Sequence, residues 1–194
     1  MAHGKRLRIS LPMLILLALL ILTDRTGAGT LTLLAAFLHE CGHFAAARGL
    51  GLSPRELRLD LLGARMEISG RMLSYGEEFL LAAAGPLASF VCSLAGALLW
   101  EFSAARIFSA ASLLLGLLNL LPIRTFDGGR MLEATLSACM GVSRASLVMR
   151  LCSFAALFLL WLIAVYFLLR AADGLSLLCF TLSLFFRFFD GERS

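Results

Sequence analysis

Apolar residues gather along this chain in long runs divided by short clusters of charge. Six runs stand out, at about residues 7–23, 30–48, 78–100, 106–122, 150–169 and 174–189. A bilayer-crossing helix needs roughly 20 mostly apolar residues, with about 17–25 the working range. The runs therefore predict an α-helical polytopic membrane protein with six transmembrane helices, the sixth being the shortest. Residues 79–100 and 107–123 carry no charged side chain at all. The first run follows Lys5, Arg6 and Arg8, so a secretory signal peptide is its competing reading. Asp24 and Arg25 stand where a small-residue cleavage site would begin, which favours an uncleaved anchor helix.

One stretch has a different period. From Glu56 through Leu61, and again from Ala64 through Ile68, apolar and polar residues alternate around Leu62-Gly63. A period of two is the mark of strands with one apolar face. The expected element is a short membrane-associated β-hairpin between the second and third spans. It reads equally as a loop resting on the bilayer surface or as a sheet edge that takes up a partner peptide at Leu59 and Met66.

Composition narrows the class. Hydrophobic residues make up 60% of the 194 and charged residues 15%, with a mean hydropathy of +0.89. Soluble domains run at about 45–50% apolar and about 25% charged, and disordered chains are more polar still. The net charge of +4 comes from 17 basic residues, of which 16 are Arg scattered between apolar runs. That scatter argues against nucleic acid and reads as membrane topology instead. With the N-terminus inside, 14 basic residues fall on the cytoplasmic side and three, Arg25, Arg106 and Arg170, on the other. Cytoplasmic loops carry the excess of Lys and Arg, so both termini are expected in the cytoplasm. The five cysteines lack paired spacing and read as small buried hydrophobes.

The chemistry concentrates in the second run, as His39-Glu40-Cys41-Gly42-His43. Four residues is one helical turn, so both imidazoles can reach one metal ion. Glu40 beside them is placed to take a proton from a metal-activated water. Ionisable groups inside a span cost a few kcal/mol each, roughly, and mark function by default. Catalytic zinc usually has three protein ligands. The remaining histidine, His3, lies in the N-terminal tail, so the third ligand must be a carboxylate or thiolate. The best candidate is Asp127 in Asn119-Leu-Leu-Pro-Ile-Arg-Thr-Phe-Asp127-Gly-Gly-Arg130, after the fourth span. A helix-capping Asp in a surface turn is the alternative. Spans two and four both end inside, which favours the ligand.

An H-E-x-x-H in a membrane helix, followed two spans later by N-x-x-P and D-G-G, resembles the site-2 protease family of intramembrane zinc metalloproteases, peptidase family M50. The specific likeness covers about residues 30–130. The Asn119 to Arg130 segment looks closest to the branch of stage IV sporulation protein FB. The resemblance implies one zinc per chain on His39, His43 and Asp127, Glu40 as catalytic base, and Asn119 as a residue that helps hold the substrate. Gly85-Pro86-Leu87-Ala88-Ser89 matches a family motif that often ends in Asn. Sporulation relatives commonly append a CBS domain. None is expected here, because the chain stops at Ser194.

The expected protein is thus one intramembrane metalloprotease domain in the bacterial inner membrane. It would hydrolyse a peptide bond of a membrane-associated protein near the cytoplasmic leaflet. A transcription-factor precursor in sporulation is the substrate the resemblance suggests, with a membrane-protein regulator as further partner. The rival classes are a catalytically inactive membrane zinc-binding protein and a metal transporter. Glu40 is superfluous for transport, and the sequence offers no second intramembrane ligand set along a path.

Overall fold

The computed structural model describes residues 6–9, 18, 22, 24–60, 63–69, 72–171 and 175–190. Its elements are β1 (Arg6–Ile9), α1 (Ala28–Gly49), β2 (Ser53–Asp60), β3 (Gly63–Ser69), α2 (Tyr75–Leu98), α3 (Ser103–Asn119), α4 (Asp127–Met140), α5 (Val142–Ala171) and α6 (Leu175–Asp190). They group into two compact units, Met1–Asn119 and Leu120–Ser194.

In the first unit, α1 starts after Gly27, which has no side chain to cap it and adopts φ 73. Asp24 does that work from outside the helix. Its carboxylate accepts from the Thr30 N–H and the Thr30 hydroxyl, both at 2.8 Å. The Thr30 backbone N–H, and then the Thr30 hydroxyl, hold the Asp24 carboxyl below the usual carboxylate range. The other end of α1 closes with the Leu52 N–H on the Ala47 carbonyl and the Gly51 N–H on the Arg48 carbonyl. This Schellman closure needs a left-handed residue, supplied by Gly51 at φ 70. It turns the chain directly into β2 and buries Leu52 with Ala47 and Leu81.

The strands form one sheet in the order β1-β2-β3. β1 pairs parallel to β2, with Arg6 opposite Glu56 and Ile9 opposite Leu59. β3 pairs antiparallel on the other side, with Leu57 opposite Met66 and Leu59 opposite Ala64. α2 opens with a capping box. The Ser74 hydroxyl accepts from the Glu77 N–H, and the Glu77 carboxylate accepts from the Ser74 N–H at 2.9 Å. Small residues let α1, α2 and α3 approach closely, a device common between membrane helices. A Cβ on Gly42 would stand 2.5 Å from the Ala84 carbonyl oxygen, and one on Gly96 would stand 3.0 Å from Ser109.

The second unit is a helical hairpin preceded by α4. Gly141, at φ 82, breaks the chain between α4 and α5. Ile123 of the loop before α4 packs with Leu157 of α5 and Leu184 of α6. Phe154 adds an edge-on contact to Phe185.

Six spans and a two-stranded hairpin are not the architecture found. Six helices are present among the described residues, and two of them, Tyr75–Leu98 and Val142–Arg170, are long and apolar enough to cross a membrane. α3, at 17 residues, is a shorter apolar helix of about 26 Å. In α6 the apolar part is Leu177–Phe186, shorter again. α1 has the length, but His39, Glu40 and His43 interrupt its apolar surface. Of the expected first span, residues 7–9 are strand and Ala18 and Leu22 are helical, while the remainder lies outside the described residues. The sheet has three strands because Arg6-Leu7-Arg8-Ile9 alternates as well. That signal is only four residues long and merges into the apolar run behind it. The stretch after the fourth run is also more than a turn, since Asp127 starts the 14-residue helix α4.

Candidate metal centre

The buried residues of α1 are Ala35, His39, His43 and Ala47, each four positions from the last. Both histidines therefore lie on the stripe that packs inward, with 4% and 8% of their surface exposed. Each ring is pinned by its Nδ1. That of His43 lies 2.8 Å from the Leu81 carbonyl oxygen of α2. A carbonyl only accepts, so His43 Nδ1 carries the proton and Nε2 presents a lone pair. His39 Nδ1 lies 2.9 Å from the Ser89 hydroxyl, one turn along α2 from Pro86's neighbour Gly85. The two Nε2 atoms face each other at 3.3 Å.

That separation is chemically specific. Zinc–imidazole bonds of about 2.0–2.1 Å, held at a tetrahedral angle, put two ligand nitrogens about 3.3–3.4 Å apart. The separation thus suits two imidazoles that share one metal ion. Imidazoles anchored through Nδ1 and offering Nε2 are also the usual arrangement at protein metal sites. Gly85 makes the arrangement possible. A Cβ there would overlap His43 Nε2 and come within 2.7 Å of His39 Nε2. Pro86, fully buried in the same turn, lacks an N–H for the helix ladder. Glu40 follows His39 on α1 and is half-buried.

In the second unit, Asp127 is the first residue of α4 and is 7% exposed. The N-cap position belongs to Phe126, which makes no side-chain cap bond. Asp127 instead occupies the first helical turn, where the macrodipole favours a negative charge. Arg130, one turn on, approaches its carboxylate at 3.9 Å. The loop leading in is tightly folded. A Cβ on Gly128 would overlap the Leu120 carbonyl, and one on Gly129 the Ile123 carbonyl. The two glycines let the loop backbone lie on the first turn of α4. Ser153 of α5 then fastens the loop, its hydroxyl accepting from the Arg124 N–H at 3.1 Å and donating to the Pro122 carbonyl at 3.3 Å. The Arg124 side chain reaches across to Glu133 at 2.7 Å.

Asn119 ends α3, and its side-chain amide donates back to the Leu115 carbonyl at 3.0 Å. Leu59 and Met66 fall in β2 and β3 without being register partners. Among the residues that shape the site, Ser153 and the Leu81 carbonyl escape sequence reading, and Ser89 shows there only as the end of the Gly85–Ser89 motif, without its histidine partner. A Gly-Pro pair inside an apolar run is the one signal in the sequence that marks the α2 turn facing the histidines.

Comparison with known proteins agrees with this chemistry. Residues 99–163 match the family model "Peptidase family M50". The chain is 37% identical over 120 residues to Rip3 of Mycobacterium tuberculosis, named as a zinc metalloprotease and found in two strains. The match covers 56% of this chain but 30% of Rip3, so the chain spans less than a third of that relative's length. The fold is similar to that of the site-2 protease from Methanocaldococcus jannaschii, with a TM-score of 0.69 and 22% identity over 95% of this chain and 89% of the other. These matches concern the M50 proteases at large and carry no specific likeness to the sporulation branch. Sequence and fold together thus bear out the resemblance of this chain to the site-2 proteases of peptidase family M50.

Proposed function

We propose that the chain is an intramembrane zinc metalloendopeptidase that hydrolyses a peptide bond in a membrane-associated protein. The observation that carries this reading is the pair of buried Nε2 atoms 3.3 Å apart, with Glu40 next to His39 on the same helix. The likeness to M50 peptidases supports it. His39, His43 and Asp127 would hold one zinc ion. When bound, zinc supplies Lewis acidity that polarises the scissile carbonyl and makes water more acidic. Glu40 takes the proton of the attacking water and later passes it to the leaving amine. Asn119 holds the substrate near the end of α3. The Leu81 carbonyl and the Ser89 hydroxyl of α2 keep the histidine rings in place.

A substrate helix must first give up its own backbone hydrogen bonds, which in lipid costs several kcal/mol per unsatisfied group, roughly. A sheet edge can take them over by strand addition. β1 and β3 are the sheet edges and β2 has a neighbour on each side, so of the two strands that carry Leu59 and Met66 the one with an edge to offer is β3, which carries Met66. The excess of basic residues supports a reading in which both termini and this sheet face the cytoplasm. Reporter fusions at Gly29 and Ser194 falling on the same side would overturn that topology. A sporulation transcription-factor precursor is one membrane-associated substrate to assay by co-expression. The deciding experiment compares wild type with Glu40→Gln for zinc content and substrate cleavage. The expected outcome is normal zinc and a 100- to 10,000-fold slower cut, roughly the contribution of one acid–base group. Equal cleavage would refute the protease assignment of Glu40, and a wild type without zinc would refute the metal site.

A further inference from the structure

His39 and His43 are oriented by partners of different kinds. His43 rests on the Leu81 carbonyl, a backbone acceptor that no substitution removes. His39 Nδ1 meets a side chain, the Ser89 hydroxyl, at 2.9 Å. Ser89 is 1% exposed, so no bulk water stands ready to take its place. Its surroundings are tight. A Cβ on Gly116 of α3 would lie 3.2 Å from the Ser89 Cβ, and Gly85 lies one turn earlier on α2 beside both rings. Ser89 therefore sits in the close contact between α2 and α3, with its hydroxyl on His39.

We propose that Ser89 is the positioning residue for His39. By accepting the Nδ1–H once metal is bound, its hydroxyl supports the tautomer that ligates through Nε2. A hydroxyl both donates and accepts, so it tolerates either tautomer before metal arrives and stabilises the ligating one afterwards. Groups that orient a ligating imidazole in this way are worth about 10- to 100-fold in metal affinity. The inference rests on the reading of the pair as a metal site and adds which side chain sets its affinity.

The test is a zinc titration of the purified full chain against a competing chelator, with Ser89→Ala, Ser89→Thr and Ser93→Ala. Ser93 is the control, one turn further along α2, with its hydroxyl beside that of Ser109 at 3.3 Å. Ser89→Ala should bind zinc about 10- to 100-fold more weakly. Ser89→Thr should recover most of that loss, and Ser93→Ala should match wild type. Imidazole ¹⁵N shifts of the metal-free chain supply a second readout: the His39 Nδ1 resonance moves in Ser89→Ala, which loses its partner, and stays in Ser93→Ala. Unchanged zinc affinity in Ser89→Ala would overturn the proposal, as would an equal loss in Ser93→Ala. A wild type that binds no zinc would overturn the metal reading and this inference with it.

Discussion

Gly85→Ala adds one methyl group at the point where α2 faces both imidazoles, and the structure sets the size of its effect. The new Cβ overlaps His43 Nε2 and stands 2.7 Å from His39 Nε2, about 0.7 Å inside the 3.4 Å of ordinary contact. Neither ring can step aside freely, because Nδ1 of each is anchored to α2 itself, through Ser89 and Leu81. α1 cannot simply retreat, since Gly42 seats it against Ala84. A metal site tolerates ligand displacements of about 0.2 Å. The required shift exceeds that several-fold, and overpacking of this kind costs about 1–3 kcal/mol. At 1.4 kcal/mol per decade, zinc binding should weaken by about 10- to 100-fold. The assay is zinc retention by chelator competition, with thermal unfolding measured in parallel. Gly76→Ala is the matched control, the same change in the first turn of the same helix, where a Cβ meets nothing within 4 Å. It should leave zinc binding unchanged and stability equal or slightly higher. Wild-type zinc affinity in Gly85→Ala would refute the claim that this glycine is required by the rings.

Ser153→Ala removes the hydroxyl that fastens the Pro122–Arg124 loop and leaves two backbone groups to find new partners. It should destabilise the chain by about 1–3 kcal/mol in denaturant unfolding. No change would show that the loop is held by Ile123 packing alone. Asp24 contributes a pH-dependent anchor to α1. Its folded pKa is depressed, so the stabilisation is present above the ordinary carboxylate value of about 3.9 and is lost as pH falls through the lower folded value. Hydrogen exchange at the Thr30 amide should accelerate over that acidic window in wild type and be fast and pH-insensitive, after correction for intrinsic rates, in Asp24→Asn. Identical profiles would exclude the Asp24 contact. In β3, adjacent residues point their N–H groups to opposite sides, one toward β2 and one toward the outer edge. Of Met66→Pro and Glu67→Pro, one should disturb the sheet, and the other should keep zinc and membrane insertion but cleave poorly. Normal cleavage in both would exclude strand addition at this edge.

Some of this site is local and therefore legible in one dimension. Residues four apart share a helical face in any fold, so His39 and His43 announce a common target by spacing alone. Alternation over 56–61 and 64–68 is local in the same way, and residues 56–60 and 64–68 are strand. The long apolar run behind α5 needs no partner to be recognised. Other features depend on segments that meet only in the folded chain. The partners of the two rings lie 38 and 50 residues away, and one of them is a backbone carbonyl, which every residue has and no residue type signals. The role of Gly85 appears only when two imidazoles occupy the space its missing Cβ leaves. β1 is too short to be told from the apolar run that follows, and its pairing with β2 spans about fifty residues of intervening chain. Gly128-Gly129 reads as a helix breaker, yet it sits in the first turn of α4, because the loop carbonyls of Leu120 and Ile123 press against that turn. Periodicity reports the face a residue shares with its neighbours in the chain. The atoms that face it across a helix contact are chosen by packing, and packing is a property of the tertiary structure.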